Sequence, residues 1–187
     1  MGKQIWRPGN MLYPLPVVLA TVADKKGNTN VLTVAWTGTV SSDPVMAYIS
    51  VRPSRYSYHM LQETGEFVIN LTNEELAFAT DYCGVVSGKD VNKFERMGLT
   101  TLPAKEVCAP IIAESPVSIE CRVVEEKPLG VHTMFLAEVL AVHADEKYMD
   151  EKGKFDLAKA KPIVYSHGEY YGLGKKIGKF GYSVKKK

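Results

Sequence analysis

What limits this chain most is a set of short β-rich runs, broken by brief helical signals that never settle into a strand–helix–strand rhythm. The clearest run lies past the middle, where Val117, Ile119, Cys121 and Val123 alternate with Ser118, Glu120 and Arg122. A two-residue period predicts a strand with one buried face. Thr133 to Val142 is a second long β run, and Pro128-Leu129-Gly130 predicts the turn between them. Upstream, Val17–Ala23 and Asn30–Trp36 flank the polar stretch Asp24–Asn28, which predicts a hairpin. Met46–Val51 and Glu66–Leu71 add two more strands.

The helical segments are brief. Ser54 is placed to cap a helix that carries Tyr58 and Leu61 on one face and stops at Gly65. Asn73-Glu74-Glu75 opens a second, through Leu76 and Ala79, and Asp90 opens a third that ends near Gly98. A regular alternation would indicate a doubly wound parallel sheet. Its absence predicts a mainly β fold, an antiparallel barrel with short inserted helices.

Composition narrows the function. An apolar share of 45% and a charged share of 24% exclude wholesale disorder. A net charge of +2 is too small to argue for a nucleic-acid partner. The three cysteines, Cys83, Cys108 and Cys121, are odd in number and form no CxxC pair, so neither a disulfide framework nor a zinc site is expected. Lys3 and Arg7 precede the apolar stretch Met11–Ala23 as in a secretory leader, but Pro14 and Pro16 interrupt it and Val17–Val22 reads as a strand. The stretch is also far short of a membrane span. The expectation is a cytoplasmic protein without a membrane partner.

Familiar motifs fail. Gly172-Leu173-Gly174-Lys175-Lys176-Ile177-Gly178 is GxGxxxG rather than GxGxxG, and reads as a glycine-lysine surface loop. His59, His132, His143 and His167 show no metal-ligand spacing, so no metal is expected. Cys83, before Gly84, is expected in a loop as a buried or packing cysteine. Lys175, Lys176, Lys179 and Lys185–Lys187, interleaved with Tyr170, Tyr171, Phe180 and Tyr182, could suit RNA, but such a tail is more often a solvated end or an arm packed on a partner.

Two stretches look built for a ligand. Trp36-Thr37-Gly38-Thr39-Val40-Ser41-Ser42 follows a strand and is rich in hydroxyls. In Ser50-Val51-Arg52-Pro53-Ser54-Arg55-Tyr56-Ser57, arginines and serines meet at a strand-to-helix junction. Arginine forks and the first N–H groups of a helix suit a phosphate monoester. A capped helix with surface arginines would give the same spacing.

These segments, in this order, together with Cys83-Gly84-Val85-Val86-Ser87-Gly88-Lys89-Asp90-Val91-Asn92-Lys93-Phe94, Gly130-Val131-His132 and Ala137-Glu138-Val139, resemble the flavin reductase-like family, nearest its flavoredoxin branch. The resemblance runs from Pro16 to about Tyr165. It implies a single domain over 1–187 with a C-terminal extension from about 166. It also implies an FMN-binding split barrel with Greek-key-like antiparallel strands, a homodimer, and FMN near the subunit interface. By position it implies site roles for Asn30, Trp36, Ser57, Lys93, His132 and Tyr165. Thr37, Gly38 and Thr39 would meet the isoalloxazine edge, and Arg52, Ser54 and Ser57 the phosphate. Ser87, Gly88, Asp90 and Lys93 would close over the flavin.

Each residue also has a plainer reading. Trp36 and Tyr165 suit a barrel core, His132 and Asn30 suit turns, Lys93 a solvated helix face, and Ser54 and Asp90 helix caps. Lys93, as a cation, and His132, as a hydrogen-bonding group, are the candidates for direct catalytic roles. The implied function is transfer of electrons from NAD(P)H or a redox protein to flavin, a ferric chelate or a protein acceptor. The alternatives are a non-enzymatic electron carrier and a small nucleic-acid-binding barrel. Val131, where many flavin reductases have Asp, leans toward the carrier; Tyr165 replaces a common Phe and keeps an aromatic face.

Overall fold

The computed structural model describes residues 2–184. The strands are β1 (Leu15–Pro16), β2 (Val18–Ala23), β3 (Thr29–Val34), β4 (Thr37–Ser42), β5 (Val45–Val51), β6 (Glu66–Leu71), β7 (Thr101–Leu102), β8 (Ile111–Ile112), β9 (Val117–Leu129), β10 (His132–Ala144), β11 (Ile163–Ser166) and β12 (Glu169–Gly172). The helices are α1 (Ser57–Thr64), α2 (Ala77–Val85) and α3 (Lys93–Met97).

Seven strands form one antiparallel sheet in the order β3-β2-β6-β9-β10-β5-β4, so β6 crosses back to lie beside β2. The sheet curls around an apolar interior that takes Val18, Ala20 and Val22 from β2, Leu32 and Val34 from β3, Ile49 from β5 and Phe135 from β10. Met60 and Leu61 of α1 complete that interior. Leu19 and Val31 point the other way, under Leu76, Ala79 and Cys83 at α2 and Phe94 of α3. β2 is accordingly buried along its whole length, since both its faces are covered. The mainly β, antiparallel expectation holds, and the fold is a split barrel.

Several local expectations are corrected. The alternation at Val117–Val123 marks the strand, but its polar face is not solvated at the start: Ser118 and Glu120 are buried. Ser118 Oγ donates to Asn70 Oδ1 at 2.7 Å, and the Glu120 carboxylate accepts backbone N–H groups from Lys105, Glu106 and Val107. Hydrogen bonds replace water there. The hairpin turn falls at Gly130-Val131, with β9 continuing through Leu129. Ser54 does not cap α1, which starts three residues later and has no side-chain cap. Asp90 does not open α3; Asn92 does, its side chain accepting from Glu95 N–H. Cys83 lies in α2 rather than in a loop. Gly65 ends α1 as expected, at φ 67°, its N–H donating to Leu61 O.

Candidate functional site

Three elements converge at the open side of the barrel. Trp36 sits just past β3, Arg52 and Arg55 lie between β5 and α1, and His132 opens β10. With Tyr165 of β11 they line a groove of about 520 Å³, within the range of roughly 300–1,000 Å³ usual for small-molecule sites. The rings of Trp36 and His132 are nearly parallel, at 7° with centroids 6.0 Å apart, and Tyr165 tilts toward Trp36 at 6.5 Å. Burial lowers the pKa of His132, and Arg52 and Arg55 lower it further, so its ring is neutral at neutral pH.

The groove continues into a narrow pocket of about 80 Å³, lined by Asn30, Ser54, Ser57, Ser87, Gly88 and Lys93. The two share Leu32, Thr33, Arg55 and Gly84. Asn30 Nδ2 donates to Ser57 Oγ at 2.7 Å, which ties β3 to the start of α1. Lys93 is only 3% exposed, and its Nζ donates to Cys83 O at 3.0 Å. Burial draws the Lys93 pKa down to about 8; Cys83 pushes it back up and Arg55 lowers it again. Burial raises the Cys83 thiol to about 11, which removes it as a nucleophile. Among the described residues, no carboxylate lines the groove or the pocket.

The expected site residues therefore separate into groups. Asn30, Ser54, Ser57, Ser87, Gly88 and Lys93 meet in the pocket, and Trp36, Arg52, His132 and Tyr165 meet in the groove. Thr37, Gly38 and Thr39 do not line either: they belong to the edge strand β4, where Thr37 Oγ1 donates to Tyr48 O and Gly38 packs on the Tyr48 ring. Asp90 lies on a separate outer hollow. Thr33, Gly84 and Tyr170 also line the cavity; the sequence placed Thr33 in a strand, Gly84 beside Cys83 and Tyr170 in the lysine-aromatic tail, and none of them carries a motif that marks it as a site residue. Lys185–Lys187, part of the nucleic-acid alternative, lie outside the described residues, and Lys175, Lys176 and Lys179 are exposed.

Known proteins share this fold. The flavin reductase like domain family matches residues 10–174. Flavoredoxin of Desulfovibrio vulgaris (Miyazaki F) superposes with a TM-score of 0.90 at 30% identity, covering 98% of this chain and 100% of that one. Flavoredoxin from Methanosarcina acetivorans does so with a TM-score of 0.87, also at 30% identity, over 98% and 100%. An uncharacterised protein of Archaeoglobus fulgidus is 36% identical over 75% of this chain and 78% of its own. The chain belongs to the flavin reductase-like family. Within it, the chain stands near the flavoredoxins.

Proposed function

We propose that this chain binds FMN non-covalently in the groove and pocket and acts as an FMN-dependent oxidoreductase. The observation that carries this reading is a pair of adjoining cavities with two chemistries: aromatic walls flanked by arginines, beside a narrow hydroxyl- and amide-lined pocket at a buried lysine. FMN is divided in the same way, a planar ring at one end and a phosphate monoester at the other. The residues fit the cofactor sterically as well, because Gly88, lacking a side chain, lets the Asn30 amide lie against its backbone in the pocket wall.

Bound FMN would supply the redox chemistry, accepting electrons from one partner and releasing them to another. Ser57, Ser87, Arg55 and Lys93 would hold the phosphate, with charge-assisted bonds from the two cations. Trp36, His132 and Tyr165 would flank the ring and exclude water from it. A neutral His132 would hydrogen-bond without adding charge. Arg52, on the groove side, would balance negative charge arriving there.

The donor is NAD(P)H or a redox protein, and the acceptor free flavin, a ferric chelate or a protein. The carrier reading is favoured by Val131, an exposed apolar residue lining the groove where many flavin reductases have an acid. The homodimer remains the assembly that membership of the flavin reductase-like family suggests. The cytoplasm remains the proposed location.

A visible spectrum of the purified protein, before and after anaerobic NADH or NADPH, tests the reading. Flavin bands that bleach on addition are expected of the enzyme. Bands that persist until dithionite is added would favour the carrier. Folded protein that acquires no bands after soaking in FMN would overturn the proposal.

A further inference from the structure

The lysine-rich tail that follows β12 lines neither the groove nor the pocket, and we infer that it docks this protein on the surface of an anionic lipid bilayer. Charge is spread unevenly along the chain. Residues 172–187 carry six of the 23 Lys and Arg and no Asp or Glu, which leaves 17 cations against 21 anions in the remainder. The tail is thus a basic segment on an otherwise acidic body. Lys175, Lys176 and Lys179 are exposed and take no ion-pair partner among the described residues.

Apolar side chains alternate with these lysines and are equally bare. Leu173, Ile177, Phe180, Tyr182 and Val184 are all exposed, Ile177 at 92% and Phe180 at 108% of their reference surface. Single exposed apolar residues are ordinary, but a run of them in one short segment is a patch that seeks a partner. The segment also has a shape of its own. The Tyr182 N–H donates to Lys179 O at 2.9 Å, and the Val184 N–H to Gly181 O at 3.3 Å, so the chain turns back on itself. A Cβ on Gly178 would lie 2.6 Å from the Tyr182 ring, which therefore rests on bare backbone there. The hollow inside this hook is lined by tail residues alone.

The partner must be apolar and negatively charged at once. An anionic bilayer is both: acyl chains lie directly beneath a layer of acidic headgroups. Ile177 and Phe180 can enter the first while the lysine ammonium groups, on flexible stems, stay in the second. Single-stranded RNA supplies the charge, but Leu173, Ile177 and Val184 have no planar face on which a base can stack. The groove of a second copy presents Arg52 and Arg55 and no carboxylate, so it repels the tail. No helix among the described residues is long and apolar enough to cross a membrane, and the contact is peripheral. The tail starts directly after β12, whose Tyr170 lines the groove, so docking would hold the groove close to the bilayer.

Co-sedimentation of the full-length protein with lipid vesicles tests this, and no flavin is needed. Vesicles of about one part phosphatidylglycerol to two of phosphatidylcholine should bind it at least about tenfold more tightly than phosphatidylcholine alone, and raising the salt from about 0.1 to 0.5 M should release it. The double variant Ile177→Ser, Phe180→Ser should lose about tenfold in affinity for the anionic vesicles and keep its thermal melt, because both side chains lie clear of the core. The triple variant Lys175→Gln, Lys176→Gln, Lys179→Gln should lose most of its preference for anionic over neutral lipid. Absence of sedimentation with anionic vesicles would overturn the inference, as would equal binding to both lipids or undiminished binding by the double variant. Sedimentation velocity adds a further check: a wild-type dimer that the double variant fails to form would make the tail a subunit arm, and the inference would fall.

Discussion

The rings of Trp36 and His132 lie within 7° of parallel with centroids 6.0 Å apart, although one follows β3 and the other begins β10. Strands far apart in sequence thus present two flat faces to one groove. If the flavin ring lies against them, Trp36→Ala should weaken FMN binding by about tenfold, and Trp36→Phe by much less. Fluorescence titration reads both. An unchanged affinity in Trp36→Ala would place the ring elsewhere.

If FMN is held at Lys93 as proposed, its affinity should depend on pH. The Lys93 amine prefers the charged form beside a phosphate, and burial has brought its pKa down to about 8. Affinity should therefore be high below pH 8 and fall as the pH rises through it, because the free protein loses the cation. Binding isotherms across that range check this, and Lys93→Met should flatten the profile.

The same lysine burdens the fold. A folded-state pKa below the ordinary 10.5 of lysine means the unfolded chain holds more protons between about 8 and 10.5, so this group's contribution to stability rises with pH across that window. Below it, the buried charge is a net cost offset only by the bond to Cys83 O. Lys93→Met should thus raise the stability of the flavin-free protein, by about 1–3 kcal/mol, while weakening FMN binding. Thermal melts with and without FMN separate the two effects; a variant that is less stable in both states would contradict the argument.

Gly88→Ala should damage binding more than folding. The nearest atoms to the added methyl belong to the Asn30 side chain, which can move if its bond to Ser57 breaks. We expect a loss of about 1–2 kcal/mol in stability together with an FMN affinity below detection. The measurements are a denaturant midpoint and the visible spectrum after FMN soaking.

Away from the cavity, Glu120 clamps the segment before β8. Its carboxylate is fully buried, accepts the N–H groups of Lys105, Glu106 and Val107, and meets His143 Nε2 at 2.5 Å. Burial raises its pKa, but the hydrogen bonds from Lys105, His143 and Glu106 outweigh this and hold it below the usual value. A depressed carboxyl pKa adds stability that is present above the unfolded value of 4.5 and lost as the pH falls through the folded one. Acid unfolding should therefore depend on this residue, and Glu120→Gln should cost about 2–4 kcal/mol at neutral pH. Urea unfolding of both proteins at pH 7 and pH 4 checks it: the difference should shrink at the lower pH.

Much of the scaffold could be read directly from the residues. Alternation at Val117–Val123, the β-rich runs at Val17–Ala23 and Glu66–Leu71, and the stop at Gly65 are local signals, because a side chain's direction along a strand and a glycine's left-handed φ are set within a few residues. Helix starts were less legible. Ser54, Asp90 and Asn92 are all competent caps, and which one is used depends on where packing of Tyr58, Leu61 and Phe94 lets the helix begin. The hydroxyl-rich stretch at Thr37–Thr39 looked like a ligand loop because nothing local distinguishes a polar loop from a polar edge strand; pairing with β5 decided it.

By itself, then, the sequence determined the class of fold, most strand positions, and the residue types that the flavin reductase-like resemblance brings together. The tertiary structure decided which of them share a cavity. Asn30 and Ser57 are 27 positions apart and Lys93 reaches the backbone of Cys83, so their meeting depends on the pairing of β3 with β2 and the seating of α1, α2 and α3 against β3. Periodicity records whether a side chain faces core or solvent. It carries no information on which distant side chain lies opposite, and the depth that lowers the pKa of Lys93 exists only once those elements have packed.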